Sequence, residues 1–174
     1  MQFFSYTFMM KNLETYFAND YVSNDDDPHV GELVRKAKSV LDVGCGDNQF
    51  KKYMQNGSFI GLDLYNKNAD LRVDILDYVT PIKYDLIICF GSINFYNLKW
   101  IDDRMHKIFS IWSRKSRICM KVNPNQPFAS GIRLEWFDRW TTGLMNHYAE
   151  IYDCEVDEFR GAEDGRFKWD YVTR

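Results

Sequence analysis

The stretch SVLDVGCGDNQF, from Ser39 to Phe50, decides how the fold of this chain is interpreted. It begins as a short apolar run of strand type, continues into a turn with two glycines, and ends where a helical pattern starts at Phe50. A strand, a glycine-rich turn and a helix in this order usually hold a nucleotide. This turn, however, carries acids where phosphate-binding loops carry lysine, so the ligand it suits must be worked out from its chemistry.

Strand and helix patterns alternate on both sides of this turn. Apolar runs of strand type are FIGLDL, LRVDIL, YDLIICF and SRICMKV. Helical periodicity is present in residues 6–17, 28–38, 47–57, 98–114 and 133–150. The final stretch, CEVDEFRGAEDGRFKWDYVTR, predicts two strands joined by a turn. We therefore expect a mainly parallel sheet with helices on both faces and an antiparallel hairpin at one side.

Composition limits the class of protein. The 174 residues are 45% hydrophobic and 27% charged, without a low-complexity tract, which is typical of one globular domain. The net charge of −3 argues against an obligate nucleic-acid binder, because such proteins usually present an electropositive surface. A nucleic-acid partner is therefore not favoured.

The cysteines and the apolar segments bear on compartment. Cys45, Cys89, Cys119 and Cys154 are widely spaced and form no CxxC pair. This pattern is neither a zinc motif nor a disulfide framework, so we expect no metal site and reduced thiols. No segment approaches the roughly 18 apolar residues of a membrane span, and the N-terminus lacks a signal-peptide pattern. The sequence predicts a soluble, cytoplasmic protein without a membrane partner.

Acids stand at or near the ends of three predicted strands. Asp42 precedes the glycine turn, Asp63 ends the second strand, and Asp74 lies in the third. In an open α/β sheet, ligands bind at the carboxyl ends of the strands. A polyphosphate would be repelled here, and the GK[ST] of a P-loop is absent. A ligand with ribose hydroxyls, an exocyclic amine and a cationic centre fits better, and S-adenosylmethionine has all three.

The segments VLDVGCGDN, FIGLDL, VDIL and YDLIICFGSINFY, in this order and spacing, resemble a class I S-adenosylmethionine-dependent methyltransferase over residues 38–125. The resemblance implies an α/β fold, a three-layer α/β/α Rossmann-like sandwich with a mainly parallel seven-stranded sheet ending in an antiparallel hairpin. It implies one domain over residues 1–174, with an N-terminal helical cap (1–37), a cofactor-binding core (38–125) and a C-terminal helix and hairpin (126–174). A dinucleotide fold fits less well, because the third glycine of G-x-G-x-x-G would fall at Gln49.

The resemblance also implies a cofactor site for S-adenosylmethionine and its product S-adenosylhomocysteine. Asp42 would lie near the methionine amino group, Asp63 would accept the ribose hydroxyls, and Leu64 would pack beside the adenine. Asp74 and the backbone after it would meet the adenine edge, and residues 90–92 would line the floor near the methyl group. The matching positions are Asp42, Gly44, Cys45, Gly46, Asp63, Leu64, Asp74, Ile75, Phe90, Gly91 and Ser92.

Asn48 departs from the family pattern, since a third glycine is frequent at its position. Asparagine tolerates a left-handed backbone and is also a good helix N-cap, so either geometry is open to it. The glycine's usual role is close packing, so its loss is tolerable.

Catalytic residues are less well defined than cofactor residues. Methyl transfer depends mostly on proximity and orientation, and a general base is needed only where the acceptor must lose a proton. The candidates are His29, Tyr96 and Asn123. Asn94 lies near Tyr96 after the strand that ends at Ser92, whereas His106 is expected at the surface. The chain lacks the Asn/Asp-Pro-Pro-aromatic tetrapeptide, the Pro-Cys nucleophile and the strand-end acid of nucleic-acid methyltransferases. We therefore expect a small-molecule or peripheral acceptor.

Two other functions are compatible with the sequence. The chain could be a non-catalytic adenosyl-binding or scaffold subunit, although retention of Asp63, Asp74 and both glycines favours an enzyme. Aminopropyl transfer is a third possibility, but the acid expected near a diamine is missing at Gly91 and Ser92. The identity of the acceptor and the oligomeric state are not specified by the sequence.

Overall fold

A computed structural model describes residues 27–94, 98–122, 140–161 and 166–174. The predicted helix at residues 6–17 lies outside these ranges. The elements are α1 (Pro28–Lys36), β1 (Ser39–Val43), a 3₁₀ helix (Gln49–Tyr53), β2 (Ser58–Leu62), β3 (Tyr84–Phe90), α2 (Leu98–Ser110), β4 (Trp112–Val122), α3 (Thr142–Ile151), β5 (Cys154–Gly161) and β6 (Phe167–Thr173). None of the helices in these ranges is long and apolar enough to cross a membrane.

The strands form one mixed sheet in the order β2-β1-β3-β4-β6-β5. The pairs β1–β2, β1–β3 and β3–β4 are parallel, whereas β6 is antiparallel to both β4 and β5. The predicted fold class, a mainly parallel sheet that ends in an antiparallel hairpin, is confirmed. Because the chain runs from β1 outward to β2 and then returns to β3 on the other side of β1, strand order reverses between β1 and β3. Ligands of open α/β sheets bind at such a point.

Apolar side chains cover both faces of the sheet. Alternate strand residues point to opposite faces, so Leu41 and Ile87 join one buried cluster and Val40 and Leu86 join another. Helices α2 and α3 contribute to the first cluster, and α1 and the 3₁₀ helix contribute to the second. The result is a three-layer α/β/α sandwich with its core on both sides of the sheet.

Helix α1 shows how local sequence sets an element. The Asp27 side chain caps its start by accepting hydrogen bonds from the N–H groups of His29 (3.0 Å) and Val30 (3.4 Å). Pro28 occupies the first turn, where its missing N–H has no cost, and Arg35 is in the last turn, where a cation offsets the helix dipole. The helix predicted at residues 28–38 is therefore confirmed, ending two residues earlier.

The predicted strand LRVDIL is present only as a single parallel bridge between Leu71 and Leu62. The described residues thus give six full strands, with this bridge where the seventh was expected. Asp74 explains the difference, because its side chain accepts from Leu76 N–H (2.9 Å) and its carbonyl accepts from Asp77 N–H (3.0 Å). These local hydrogen bonds close a turn and compete with strand pairing.

Three helix boundaries differ from the sequence prediction. The segment after the glycine turn is a 3₁₀ helix rather than an α-helix. Helix α2 stops at Ser110, and Trp112 pairs with Tyr84 as the first residue of β4. Trp140, predicted inside a helix, precedes α3, which starts at Thr142 with Thr141 as its N-cap; residues 133–139 lie outside the described ranges. Trp140 is fully buried, and Trp112 packs against the same core cluster. Each indole therefore continues the apolar periodicity of the neighbouring helix although the residue lies outside that helix.

Candidate functional site

The turn after β1 is held over the end of β2. Gly44 and Gly46 have left-handed backbones (φ +70° and +51°), which a glycine adopts without steric cost. The N–H groups of Gly44 and Cys45 both donate to the carbonyl of Leu62, at 2.7 and 2.9 Å. These two hydrogen bonds hold the turn against Leu62, the last residue of β2, and Asp63 follows directly after it.

The two glycines of the turn face different surroundings. A Cβ on Gly44 would lie 2.3 Å from Cβ of Ser92, so the loops that follow β1 and β3 touch at this point. A Cβ on Gly46 would meet no atom within 4 Å. Gly44 is thus needed for packing at the switch point, while Gly46 borders open space where a ligand can approach the backbone.

Asn48 takes the left-handed geometry (φ 61°) and makes no capping hydrogen bond with its side chain. Instead, the side chain packs on Gly61, where a Cβ would lie 2.2 Å from Asn48 Oδ1. Its Nδ2 donates to Asn68 O (3.1 Å) and to Asp70 Oδ2 (3.2 Å). The close packing that a third glycine gives in the family pattern is supplied here by Gly61 in β2, and an isolated glycine in a strand is the sequence signal for it.

Asp63 is fixed by three backbone donors. Its Oδ2 accepts from Gly46 N–H (3.1 Å), and its Oδ1 accepts from Tyr65 N–H (2.8 Å) and Asn66 N–H (2.9 Å). The structure therefore brings the predicted ribose-binding carboxylate directly beside the open side of the glycine turn, with its orientation already set.

Asp42 lies beneath the turn and is 2% exposed. Burial, together with the negative charge of Asp63, raises its pKa to about 8. Within the described ranges, neither Asp42 nor Asp63 forms an ion pair with a lysine or arginine. Among the described residues, these two neighbouring carboxyl groups thus have no paired cation, which favours a cationic ligand.

Phe90 is the last residue of β3, and Ser92 lies in the loop after it, against the glycine turn. Ser92 Oγ is buried and has no hydrogen-bond partner among the described residues. Gly91 has a left-handed backbone (φ +74°), and its N–H donates to Lys121 O at 2.8 Å, which keeps the loop close to β4. The Phe90 ring packs edge-on against Phe50 at 5.5 Å between centroids. An unsatisfied buried hydroxyl at this edge requires a partner that the described chain does not supply.

The residues expected around an adenine are arranged less uniformly. Leu64 is 39% exposed, and an exposed leucine beside Asp63 can pack against a planar ring. Ile75 is buried in the core. Asp74 accepts from Arg104 NH2 at 2.6 Å, and that guanidinium stacks on the Trp100 ring at 3.5 Å from its centroid. The Asp74 carboxylate is thus already paired, and its role in ligand binding stays a prediction.

The candidate catalytic residues are placed as follows. His29 Nε2 lies 2.8 Å from Asp170 Oδ2, a hydrogen bond that joins α1 to β6. Tyr96 and Asn123 lie outside the described residues. Asn94 is buried at 1% exposure, and His106, at the surface as predicted, contacts the Tyr152 hydroxyl.

Asp70 is a site residue that the sequence did not single out. It accepts from Gly61 N–H (2.9 Å) and Asn48 Nδ2 and forms an ion pair with Lys51. Burial acts to raise its pKa, but the hydrogen bond from Lys51, with those from Gly61 and Asn48, lowers the pKa overall. Asp70 holds the 3₁₀ helix and β2 together behind the glycine turn. Its position in a polar loop gave no periodic pattern from which this role could be predicted.

No family model and no curated protein sequence matches the chain. Its structure is similar to solved methyltransferases. The 1,6-didemethyltoxoflavin-N1-methyltransferase of Burkholderia thailandensis, solved with 1,6-didemethyltoxoflavin and S-adenosylhomocysteine, matches with a TM-score of 0.72 and 11% identity. That match covers 100% of this chain and 93% of the other.

Two further solved structures give the same result. The N-methyltransferase NodS of Bradyrhizobium japonicum WM9, in complex with S-adenosylhomocysteine, has a TM-score of 0.71 and 13% identity over 94% of this chain and 97% of that one. The magnesium protoporphyrin IX methyltransferase of Synechocystis PCC 6803, also with S-adenosylhomocysteine, has a TM-score of 0.71 and 13% identity over 95% of each chain. The chain therefore has the Rossmann-like fold of these methyltransferases.

Proposed function

We propose that the chain is an S-adenosylmethionine-dependent methyltransferase that acts on a small-molecule or peripheral acceptor. The observation that carries this proposal is the pair of carboxyl groups, Asp42 and Asp63, beside an open glycine turn at the switch point of the sheet. Such a site attracts a ligand with positive charge and hydroxyl donors and repels a polyphosphate. The bound cofactors of the three solved methyltransferases support the same ligand for this chain.

Each side of the site has a proposed role. Asp63, already oriented by three N–H groups, accepts the ribose hydroxyls. Asp42 lies near the amino group of the methionine part, whose positive charge would lower the raised pKa of Asp42 and favour its ionised form. Gly46 leaves room for the ligand next to the backbone, with Cys45 in the same turn. Ser92 Oγ gains the hydrogen-bond partner that it lacks. These assignments extend to the remaining positions predicted from the sequence, namely Gly44, Leu64, Asp74, Ile75, Phe90 and Gly91.

Catalysis follows from orientation. S-adenosylmethionine supplies a methyl group that its sulfonium has already activated. The residues of this chain then need to fix that group and the acceptor in line and to exclude water, which can supply most of the rate enhancement. A general base, for which His29 is the candidate, is required only for an acceptor that loses a proton, while Tyr96 and Asn123 are candidates for contact with the acceptor.

A small-molecule acceptor is supported by two of the solved structures, named for 1,6-didemethyltoxoflavin and magnesium protoporphyrin IX. The four cysteines are all buried and none forms a disulfide, which supports a reducing, cytosol-like compartment. We further propose that residues 38–125 carry the cofactor within a single domain.

Calorimetric titration with S-adenosylmethionine and S-adenosylhomocysteine tests the cofactor. We expect binding of micromolar strength, which corresponds to about 8 kcal/mol. The substitution Asp63→Asn removes the charge and places an amide where Gly46 N–H donates, so we expect affinity to fall tenfold or more. The matched control is Asp85→Asn. Asp85 also accepts from a backbone N–H, that of Lys38 (3.2 Å), but it lies near the amino end of β3, away from the carboxyl ends of the strands that form the site.

The outcome separates the enzyme from its main alternative. Binding that is lost in Asp63→Asn and kept in Asp85→Asn establishes the site and justifies a screen of acceptors with isotopically labelled methyl groups. Folded wild-type protein that binds neither compound contradicts the proposal, and the scaffold subunit then becomes the better interpretation.

A further inference from the structure

Three side chains that are distant in the sequence meet on the α1 face of the sheet. These are His29, Cys119 and Asp170, and one ligand atom from each lies within 4.8 Å of the other two. Cys119 and Asp170 are direct partners across β4 and β6, and His29 reaches them from the first turn of α1. We propose that this cluster binds a zinc ion, which would make His29 a metal ligand and not the general base of the proposed methyltransferase reaction.

The donor set matches the chemistry of Zn²⁺. A thiolate, an imidazole and a carboxylate are its three usual protein ligands, and three of them leave a fourth position for water. Ligand atoms around one tetrahedral zinc lie about 3.3 to 3.6 Å apart at normal bond lengths. The cluster therefore needs a contraction of roughly 1 Å, which the helix end that carries His29 can supply.

Asp170 provides a second observation that points to a ligand. The residue is 0% exposed, and its Oδ2 accepts from both His29 Nε2 and Arg117 NH1, each at 2.8 Å. Its Oδ1 is buried and has no hydrogen-bond partner among the described residues. A buried carboxylate oxygen without a donor is costly, and a metal ion beside Cys119 would satisfy it while Arg117 keeps its bond to Oδ2.

The charges around the cluster permit a divalent cation. Arg117 pairs directly with Asp170 and also with Asp157 at 3.0 Å, and the buried Lys121 lies two residues after Cys119 on the same face of β4. Lys168 on β6 is paired with Asp27 at 3.0 Å. Zn²⁺ itself would be neutralised by the thiolate of Cys119 and the carboxylate of Asp170, with neutral His29 as third ligand. The cluster therefore reaches zero net charge when the metal is bound.

The neighbourhood of Cys119 distinguishes it from the other thiols. All four cysteines are buried. Within the described ranges, one group of three side chains brings its ligand atoms close enough together to hold a metal ion, and Cys119 is the cysteine in that group. The His29 side chain is 22% exposed and gives the ion a route from solvent. A bound zinc would connect α1 to the two strands at the start of the antiparallel part of the sheet.

Spectroscopy on metal-free protein tests this site. The protein is treated with a chelator and titrated with Co²⁺, a spectroscopic substitute for Zn²⁺. We expect one equivalent to produce the near-ultraviolet charge-transfer band of cobalt–thiolate coordination, and Zn²⁺ to abolish it by displacement. Zn²⁺ alone should raise the thermal unfolding temperature, because it binds the folded state.

Variants locate the ligands. Cys119→Ala should remove the band, and His29→Ala should weaken Zn²⁺ affinity tenfold or more. Cys89→Ala is the matched control, since Cys89 is equally buried in the adjacent strand but points to the other face, and it should keep the band. The metal-induced rise in unfolding temperature is compared within each variant, so that loss of the His29–Asp170 pair does not obscure the result. A wild type without the band, or a band that survives Cys119→Ala, would overturn the proposal.

Discussion

At the scale of single residues, the most informative group is Asp42. A carboxyl group that is 2% exposed, with Asp63 as its charged neighbour, is held mostly in its protonated form at neutral pH. The thiols of Cys45 and Cys89 also face it, and their own pKa values are raised by burial and by Asp42. None of these neighbours supplies a positive charge, so the folded protein bears the cost of ionising Asp42 unless a cationic ligand binds.

This cost predicts the pH dependence of stability. Since the pKa of Asp42 is raised from 3.8 to about 8 on folding, the unfolded state loses its proton first as the pH rises. The stability that protonated Asp42 contributes is fully present below about pH 4 and is lost as the pH approaches 8. Between these values the free energy of unfolding falls by up to about 1.4 kcal/mol for each pH unit. In Asp42→Asn this loss should disappear, so the variant gains stability relative to wild type between pH 5 and pH 8. Urea unfolding of both proteins at the two pH values measures it, and parallel profiles would contradict the assignment.

Gly44 and Gly46 allow a sharper comparison at the same scale. Alanine at either position is strained by a left-handed backbone, at about 1–2 kcal/mol. Only Gly44→Ala also drives a Cβ to 2.3 Å from Ser92 Cβ, which should add about 1–3 kcal/mol of overpacking. We therefore expect Gly44→Ala to lower the free energy of unfolding more than Gly46→Ala does.

The double substitution isolates the contact. Adding Ser92→Gly to Gly44→Ala removes the opposing Cβ, and the nearest remaining Ser92 atom is its Cα, at 3.4 Å. Part of the lost stability should return, as a coupling between the two sites in urea unfolding. Strictly additive effects would show that the two loops move apart instead of packing together.

At the scale of secondary-structure elements, buried and exposed ion pairs have different consequences. Arg117 on β4 donates a hydrogen bond to Asp170 on β6. The Asp170 carboxylate is 0% exposed and is also hydrogen-bonded to His29 on α1. Lys99 and Asp103 form a pair within α2, but the lysine side chain is 80% exposed. The first pair joins elements through a carboxylate that cannot reach water, while the second is surrounded by solvent.

Removing each cation should show this difference. Arg117→Met leaves Asp170 buried with one donor fewer, and we expect a loss of about 2 kcal/mol or more in the free energy of unfolding, moderated by solvent because Arg117 is 30% exposed. Lys99→Met should change stability by less than about 0.5 kcal/mol. Chemical denaturation in metal-free buffer compares the two, and equal effects would contradict the buried role of the first pair.

The boundaries of elements show where local patterns lose to pairing. Residues 98–114 have helical periodicity, yet Trp112 leaves the helix because Tyr84 in β3 offers it a strand partner. Conversely, LRVDIL has strand composition, yet Asp74 closes a turn by bonding to the N–H of Leu76. The helical pattern held over most of residues 98–114, whereas the strand pattern of LRVDIL gave only the bridge at Leu71, and in each case hydrogen bonding at one residue decided where the element stopped.

At the scale of the whole molecule, the order β2-β1-β3 creates the candidate site. It places the loop that contains Gly44 against the loop that contains Ser92, although the two lie far apart in the chain. Parallel pairing then puts the carboxyl ends of β1, β2 and β3 at one edge, so Asp42 and Asp63 become neighbours. The charge that selects a ligand is therefore a product of topology acting on individually ordinary residues.

The sequence by itself determined the alternation of strands and helices, the antiparallel hairpin and the glycine turn with its acids. Each of these depends on residues close together in the chain, whose periodicity and turn chemistry are visible without a structure. Only the tertiary structure decided that Gly61 makes room for Asn48, that Asp70 braces the turn, and that Asp74 is paired with Arg104. The cluster of His29, Cys119 and Asp170 is of the same kind, since a helix end and two antiparallel strands must pack before these side chains meet. Burial and distance between remote residues are set when the layers assemble, and no local pattern of the chain encodes them.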